Sequence, residues 1–353
     1  MTKALRPRHG GGGEQAGRAV KFDLRACLAA AGLVALSCAP ADALEPGKGG
    51  VFIGVSAGVP PPGIYMFDQV FTYDANFVGP VVKSKTGPSP TTGVQSAVDV
   101  QGFVFVPGWT LLGATYSAVV LQPFEMRSIG SPFNTQYAGA ARTHFTPVEL
   151  SWKLGNSGFF LKAGLGFEAP DGAATGPYGI SNAGARFWTV QPELITSYIR
   201  DGWALSVALY EQINLRNSAT PYTAGNRFHA DFTATRSIGK WTFGPVAYYY
   251  GQVTSPTCSA ACLTASLATV QDYNVWAVGG LIGYDFGAAN LSVWATQDIS
   301  VKADNPAAPS ATGSPVAFVA KGITVFATLS YRLWGPDEPA AMPVKAPRKP
   351  GQS

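Results

Sequence analysis

The chain has 353 residues, of which 46% are hydrophobic, 41 are glycine and only 13% are charged, about half the charged fraction of a typical soluble domain. A mean hydropathy of +0.11 is too apolar for a disordered chain, and the low charge argues against a nucleic-acid partner. No uninterrupted apolar run of 18 or more residues follows residue 45, which excludes a bundle of transmembrane helices. A large β-fold remains, with its apolar residues dispersed by alternation.

The first 43 residues have the pattern of a secretory signal peptide. Three basic residues precede an apolar stretch over residues 26–39, and Ala41-Asp42-Ala43 closes that stretch. We expect cleavage before Leu44, which leaves 19 basic and 18 acidic side chains and a net charge of +1. This balance implies no acidic partner.

Two cysteines, Cys258 and Cys262, remain in the exported chain, spaced as Cys-Ser-Ala-Ala-Cys. Export into an oxidising compartment favours a disulfide between them. A metal site is the alternative, but two thiolates without a nearby His or further Cys fall short of a zinc ligand set. We therefore expect a disulfide and no metal.

About twelve stretches of roughly 10–14 residues alternate between apolar and polar side chains, as tilted membrane strands do. In the stretch from Arg227 to Ser237, His229 and Asp231 share one side with four other polar residues, and Phe228 and Phe232 share the other. The stretches begin near residues 64, 95, 109, 143, 157, 186, 202, 227, 240, 273, 289 and 319. A soluble sandwich has the same period of two, so alternation alone does not decide.

The connections between these stretches alternate strictly between short and long. The long ones have roughly 12–21 residues rich in Pro, Ser, Thr, Asn and Gly, and Trp109, Trp203 and Trp241 each follow a short one. The short ones are Pro107-Gly108, Gly155-Asn156, Asp201-Gly202, Gly239-Lys240 and Gly287-Ala288. This pattern predicts an all-β, transmembrane antiparallel β-barrel of about twelve strands in a Gram-negative outer membrane, with both ends of the barrel in the periplasm.

The segment before the first strand contains Pro60, Pro61 and Pro62, which cannot donate to a strand ladder. It also contains Val51 and Phe52, whose burial favours a plug inside the lumen; the alternative is a segment that hangs in the periplasm. The predicted organisation is a signal peptide (1–43), an irregular N-terminal segment (44–63), a barrel (64–334) and a disordered tail (335–353).

Charged residues on the lipid-facing surface are costly, so we assign them to the lumen or the interface. They form either structural ion pairs or a polar solute path. The predicted lumen or solute-path residues are Asp68, Asp99, Glu149, Lys162, Glu193, His229, Asp231 and Arg332. His229 and Asp231 lie two apart and could form an acid–base pair. No Ser or carboxylate context accompanies them, so we expect no enzymatic activity and no cofactor.

Aromatic residues cluster at Phe67, Phe71, Tyr73 and Tyr248-Tyr249-Tyr250. The common role of such residues in barrels is an interface girdle and packing against lipid. The alternative is an apolar binding patch for a solute.

Four blocks of residues, in order along residues 45–334, resemble the outer-membrane proteins of the "meta-pathway of phenol degradation", also called SphA-type transporters. The blocks are Ala57–Tyr65 with Tyr73, Pro107–Gly113 with Gln122–Phe124, Phe187–Pro192 with Tyr198, and Ile213–Asn217 continuing to Tyr248–Gln252. The resemblance implies an outer-membrane barrel that takes up small hydrophobic or aromatic compounds. The implied partners are outer-membrane lipid, such a solute and the barrel assembly machinery, and the alternative is a structural or adhesive barrel that acts through its external loops.

The parity of the connections places Cys258 and Cys262 in an external loop. We predict that a membrane-impermeant thiol reagent labels them in intact cells after reduction, and that labelling is weak without reduction because the pair is oxidised. Labelling that requires permeabilised cells would contradict the orientation.

Overall fold

A computed structural model describes residues 48–78, 93–130, 135–173, 183–218, 223–254, 257, 272–304 and 319–336. Fourteen β-strands are found in this part of the chain. Twelve of them have ten residues or more: β1 (Gly63–Val78), β2 (Gly93–Val106), β4 (Ala114–Ile129), β6 (His144–Lys153), β7 (Phe159–Glu168), β8 (Thr189–Arg200), β9 (Trp203–Asn214), β10 (Arg227–Ile238), β11 (Trp241–Gln252), β12 (Asp272–Asp285), β13 (Ala289–Asp304) and β14 (Val319–Trp334). Two are short: β3 (Thr110–Leu111) and β5 (Thr135–Ala140).

The twelve long strands close into a single antiparallel barrel. Each pairs with its neighbour in chain order, and β1 pairs with both β2 and β14, so that Phe71 lies opposite Val98 on one side and Phe326 on the other. The predicted fold class and strand number are confirmed. Among the described residues, no helix is both long enough and apolar enough to cross a membrane.

The short connections are tight turns at one end of the barrel, here called the short-turn end. Between β8 and β9, Asp201 and Gly202 both have positive φ angles, of 54° and 79°, as a two-residue hairpin turn requires. The turn before β4 differs from the prediction. The chain reverses at Leu112 and Gly113, with φ angles of 53° and 75°, because β3 extends the hairpin beyond Pro107-Gly108 by pairing with the start of β4.

Tryptophans surround the short-turn end on the outer surface. Trp109, Trp203 and Trp241 are 63%, 40% and 51% exposed, and Trp334 at the end of β14 is 61% exposed. An amphipathic indole ring at this height matches the aromatic girdle of a membrane barrel. The outer wall above it carries exposed apolar side chains, including Leu194 at 41%.

The barrel geometry predicts a depth-dependent cost of charge on the outer wall. Leu194→Arg, in the middle of β8, should lower the free energy of unfolding by about 2–4 kcal/mol, whereas Ile238→Arg, at the short-turn end of β10, should cost about 0–1 kcal/mol. Both parent side chains are exposed apolar residues, which makes them a matched pair. Denaturant titration in lipid vesicles measures the difference, and equal costs would contradict a lipid-facing position for Leu194.

Candidate functional site

Residues 48–58, here called the lumen segment, lie inside the barrel. Two tight reversals shape the segment, with backbone hydrogen bonds from Ile53 N to Gly50 O (3.3 Å) and from Val55 N to Phe52 O (3.0 Å). Ile53 and Ala57 are almost completely buried, at 2% and 0% exposed. The segment is therefore irregular, and its backbone polar groups need partners from the barrel wall.

Strand β10 supplies the first set of partners. The Asp231 carboxylate accepts hydrogen bonds from Gly50 N (3.0 Å) and Phe52 N (2.8 Å), and Thr233 Oγ1 accepts one from Gly54 N (2.9 Å). Asp231 and Thr233 are two residues apart and therefore point to the same side of the strand. One strand thus holds alternate amides of the lumen segment.

The lower part of the segment is held near the short-turn end. Ala57 N donates to Ser197 Oγ at 2.8 Å, and Ser151 Oγ donates to the carbonyl of Ala57. Arg332 Nη2 donates to the carbonyl of Pro62 at 2.7 Å, where the chain enters β1. The predicted lumen residue Arg332 therefore lies at the rim, against the proline-rich stretch.

His229 and Asp231 do not pair with each other in the described contacts. The His229 ring stacks between Tyr210 and Tyr250, with centroid distances of 4.4 and 5.8 Å, and its Nε2 lies 3.2 Å from Gln212 Oε1. Asp231 instead binds the amides of the lumen segment. Both side chains thus hold the interior together, and this arrangement differs from an acid–base pair.

A row of ion pairs covers the inner face of β4 to β8. Lys162 Nζ lies 3.4 Å from Glu149 Oε2, which also accepts a hydrogen bond from Ser117 Oγ at 2.6 Å. Glu193 lies beside them, with its carboxylate against Gly164. A Cβ added at position 164 would come within 2.4 Å of that carboxylate. Two further buried pairs are Arg127 with Glu125 and Arg142 with Glu168.

A cavity of about 460 Å³ lies between the lumen segment and the barrel wall. Its lining contains an apolar group of side chains, here called the apolar wall, and the ion-paired group, here called the polar wall; further polar residues, among them Lys48, Gln69 and His229, also line it. The apolar wall includes Val51, Phe52, Phe67, Phe71, Val98, Val100, Val104, Val119, Leu121 and Trp294. The polar wall includes Glu125, Arg127, Arg142, Glu149, Lys162, Glu168 and Glu193.

Asp68 and Asp99 do not line this cavity, and the prediction that they face the lumen is wrong. Gln69 and Val100, which lie directly opposite each other on β1 and β2, both line the cavity. Because side chains alternate along a strand, Asp68 and Asp99 point to the outer face. The inner face of these two strands is more apolar than the usual polar-inside pattern, and exposed Val70, Phe103 and Phe105 make the outer face apolar as well.

The aromatic clusters divide between the two faces. Phe67 and Phe71 line the cavity, and Tyr73, Tyr248 and Tyr250 are buried in the interior. The ring of Tyr249, between two inward tyrosines, instead packs 5.0 Å from that of Trp276, which is 42% exposed. Most of these rings therefore line the interior and do not form a girdle.

Several predictions fall outside the described residues: the disulfide between Cys258 and Cys262, the signal peptide 1–43 and the tail beyond residue 336. Within the described ranges, no group of three or more His, Cys, Asp or Glu side chains could hold a metal ion.

Comparison with solved structures relates the barrel to outer-membrane proteins. An outer membrane channel from Pseudomonas putida F1 matches with a TM-score of 0.62 at 13% sequence identity, over 81% of this chain and 99% of that chain. The beta domain of the Bordetella autotransporter Brka matches with a TM-score of 0.37 at 12% identity, over 76% of this chain and 99% of that chain. The translocator domain of autotransporter NalP from Neisseria meningitidis matches with a TM-score of 0.34 at 10% identity, over 77% of this chain and 89% of that chain. No curated protein matches the chain.

The first of these matches shows that the fold is that of an outer membrane channel. A closed barrel with a lipid-facing apolar wall is an outer-membrane structure, so the protein is located in the outer membrane of a Gram-negative bacterium. The family model described as "Putative MetA-pathway of phenol degradation" matches residues 71–312, more than half of the chain. The chain therefore belongs to the family of the putative MetA-pathway of phenol degradation.

Proposed function

We propose that the protein is an outer-membrane channel for the uptake of small hydrophobic or aromatic compounds. The observation that carries this proposal is the cavity of about 460 Å³ beside the lumen segment, with one apolar and one ion-paired wall. Its volume falls within the range of about 300–1,000 Å³ that is usual for small-molecule sites. Phe67 and Phe71 offer ring faces and edges to an aromatic solute.

The charges of the polar wall favour a neutral solute. Lys162 forms an ion pair with Glu149, and Arg127 and Arg142 each form one with a carboxylate of their own. A charged solute would have to separate one of these buried pairs, which leaves an unpaired charge at a high cost. Glu149, Lys162 and Glu193 then act as the polar side of the solute path, and a solute hydroxyl could bond to them.

The lumen segment and the proline-rich stretch after it form the closure of the channel in this proposal. Val51 and Phe52 turn toward the cavity, and Pro60, Pro61 and Pro62 reduce the number of backbone donors that need partners at the entrance. Asp231 and His229 support this closure from the interior, and Arg332 holds it at the rim. A solute enters or leaves when the segment shifts, since the segment forms one side of the cavity.

Transport explains the buried ionisable residues better than catalysis does. His229 lines the cavity, but its ring stacks between two tyrosine rings and its Nε2 contacts Gln212 instead of a carboxylate, which is not the arrangement of a catalytic acid–base pair. The remaining proposed partner is the barrel assembly machinery, which would insert the strands, with β14 ending at the aromatic residue Trp334.

The uptake proposal is tested by a charge placed on the apolar wall. Leu121→Glu should lower the uptake of a neutral aromatic probe such as phenol into proteoliposomes by about tenfold or more. An unpaired carboxylate in the cavity retains its hydration shell, and an apolar solute would have to displace that water. Leu121→Met preserves an apolar side chain and should leave uptake close to that of the unaltered protein. Equal uptake by both folded variants would contradict the proposed path.

The closure is tested by removing it. Deletion of residues 45–62 should raise single-channel conductance in planar bilayers and leave barrel assembly intact, because the twelve strands of the wall pair without the segment. Asp231→Asn is the milder variant. It removes the charge from two hydrogen bonds worth about 1.5–3 kcal/mol each when the acceptor is charged, and it should raise the frequency of opening. Unchanged conductance in a folded deletion variant would refute the closure.

A further inference from the structure

Lys48 inserts its ammonium group among three tyrosine rings of the barrel wall. Its Nζ lies 3.5 Å from the centroid of the Tyr73 ring, 5.3 Å from that of Tyr248 and 5.5 Å from that of Tyr250. All three distances are within the range of about 6 Å for a cation–π interaction. Rings around a cation are the arrangement by which proteins recognise organic ammonium groups.

Asp298 supplies the opposite charge for this group of rings. Its Oδ1 lies 3.9 Å from Lys48 Nζ. The carboxylate accepts hydrogen bonds from the Tyr73 hydroxyl (2.8 Å), the Tyr248 hydroxyl (2.6 Å) and Gly322 N (2.9 Å). These partners belong to β1, β11 and β14, so the barrel wall itself fixes the carboxylate and two of the rings, without help from the lumen segment.

The contacts of Lys48 are those of a cation in an aromatic site, with no directional hydrogen bond. Its Nζ is buried and has no hydrogen-bond partner in the described structure, so charge and the ring faces hold it. The side chain is only 6% exposed, and buried apolar residues such as Val275 and Phe326 belong to the same core cluster as Tyr248 and Tyr250. This setting favours an ammonium on an alkyl stem over a strongly hydrated inorganic cation.

We propose that Tyr73, Tyr248, Tyr250 and Asp298, here called the tyrosine cage, form a binding site for short alkylammonium compounds, which Lys48 occupies from within the same chain. Lys48 and Tyr73 also line the cavity of the uptake proposal, but the contacts that define the cage require no solute in that cavity, so the inference does not rest on that proposal. Because Lys48 is tethered close to the cage, its effective concentration there is high. A free alkylammonium therefore competes poorly with Lys48 and binds well only when the lysine is absent.

Lys48→Ala in the full chain tests the proposal by chemical rescue. The variant keeps Cβ, and n-propylammonium supplies three carbon atoms and a nitrogen in place of the Cγ, Cδ, Cε and Nζ that the substitution removes. Isothermal titration should detect n-propylammonium binding to Lys48→Ala about tenfold or more tighter than to the unaltered protein. 1-Propanol has the same chain without the charge and should not bind. Lys321→Ala, which removes a lysine outside the cage whose Nζ donates to the carbonyl of Ile299, should show no gain.

The cage residues are tested in the Lys48→Ala background. Tyr73→Leu should abolish n-propylammonium binding, whereas Tyr73→Phe keeps the ring and should retain most of it. Heat-modifiability on electrophoresis shows whether each barrel is folded, and Tyr250→Leu replaces Tyr73→Leu if the latter does not fold. Equal binding with and without the rings, or equal binding of 1-propanol, would overturn the proposal. The titration measures binding alone, so its outcome is independent of uptake and conductance.

Discussion

An irregular segment inside a membrane barrel is possible only if its backbone amides and carbonyls find partners, because an unpaired buried polar group costs free energy comparable to a lost hydrogen bond. The lumen segment meets this constraint with side chains of the inner wall. Its amides donate hydrogen bonds to the side chains of Asp231, Thr233 and Ser197, and one of its carbonyls accepts a hydrogen bond from Ser151. The position of the segment follows from these contacts, and the cavity beside it follows from that position.

The architecture could be predicted from the sequence because closure of a barrel imposes a simple pattern. Each local feature of the sequence reflects one requirement of this closure: the alternation of side chains, the short turns such as Asp201-Gly202, and the tryptophans after them. Together they predict the twelve antiparallel strands that the structure contains. Glu149, Lys162 and Asp231 are buried inside the barrel, and their neighbours along each strand face lipid.

The inner wall of β1 and β2 could not be predicted by the same rule. The rule places charge inside, but here Phe67, Phe71 and Val100 line the cavity, and the alternation therefore turns Asp68 and Asp99 outward. The tyrosine cage was missed for a related reason, since Tyr248 and Tyr250 resemble girdle residues and their role depends on Lys48, which lies 200 residues away in the chain. Such long-range contacts leave no periodic signal. The buried pair Arg142–Glu168 also joins residues whose spacing has no specific pattern, whereas Glu125 and Arg127 lie two apart on one strand and share a face.

The central claim is that a neutral aromatic solute binds between the lumen segment and the apolar wall. The most direct measurement is the position of bromine, by anomalous diffraction, in crystals of the full chain soaked with 4-bromophenol. The account predicts a bromine site inside the barrel, near Phe71 and Leu121, with the hydroxyl directed toward Glu149 and Lys162. Bromine found only on the outer wall, or at no ordered position inside the barrel, would contradict it.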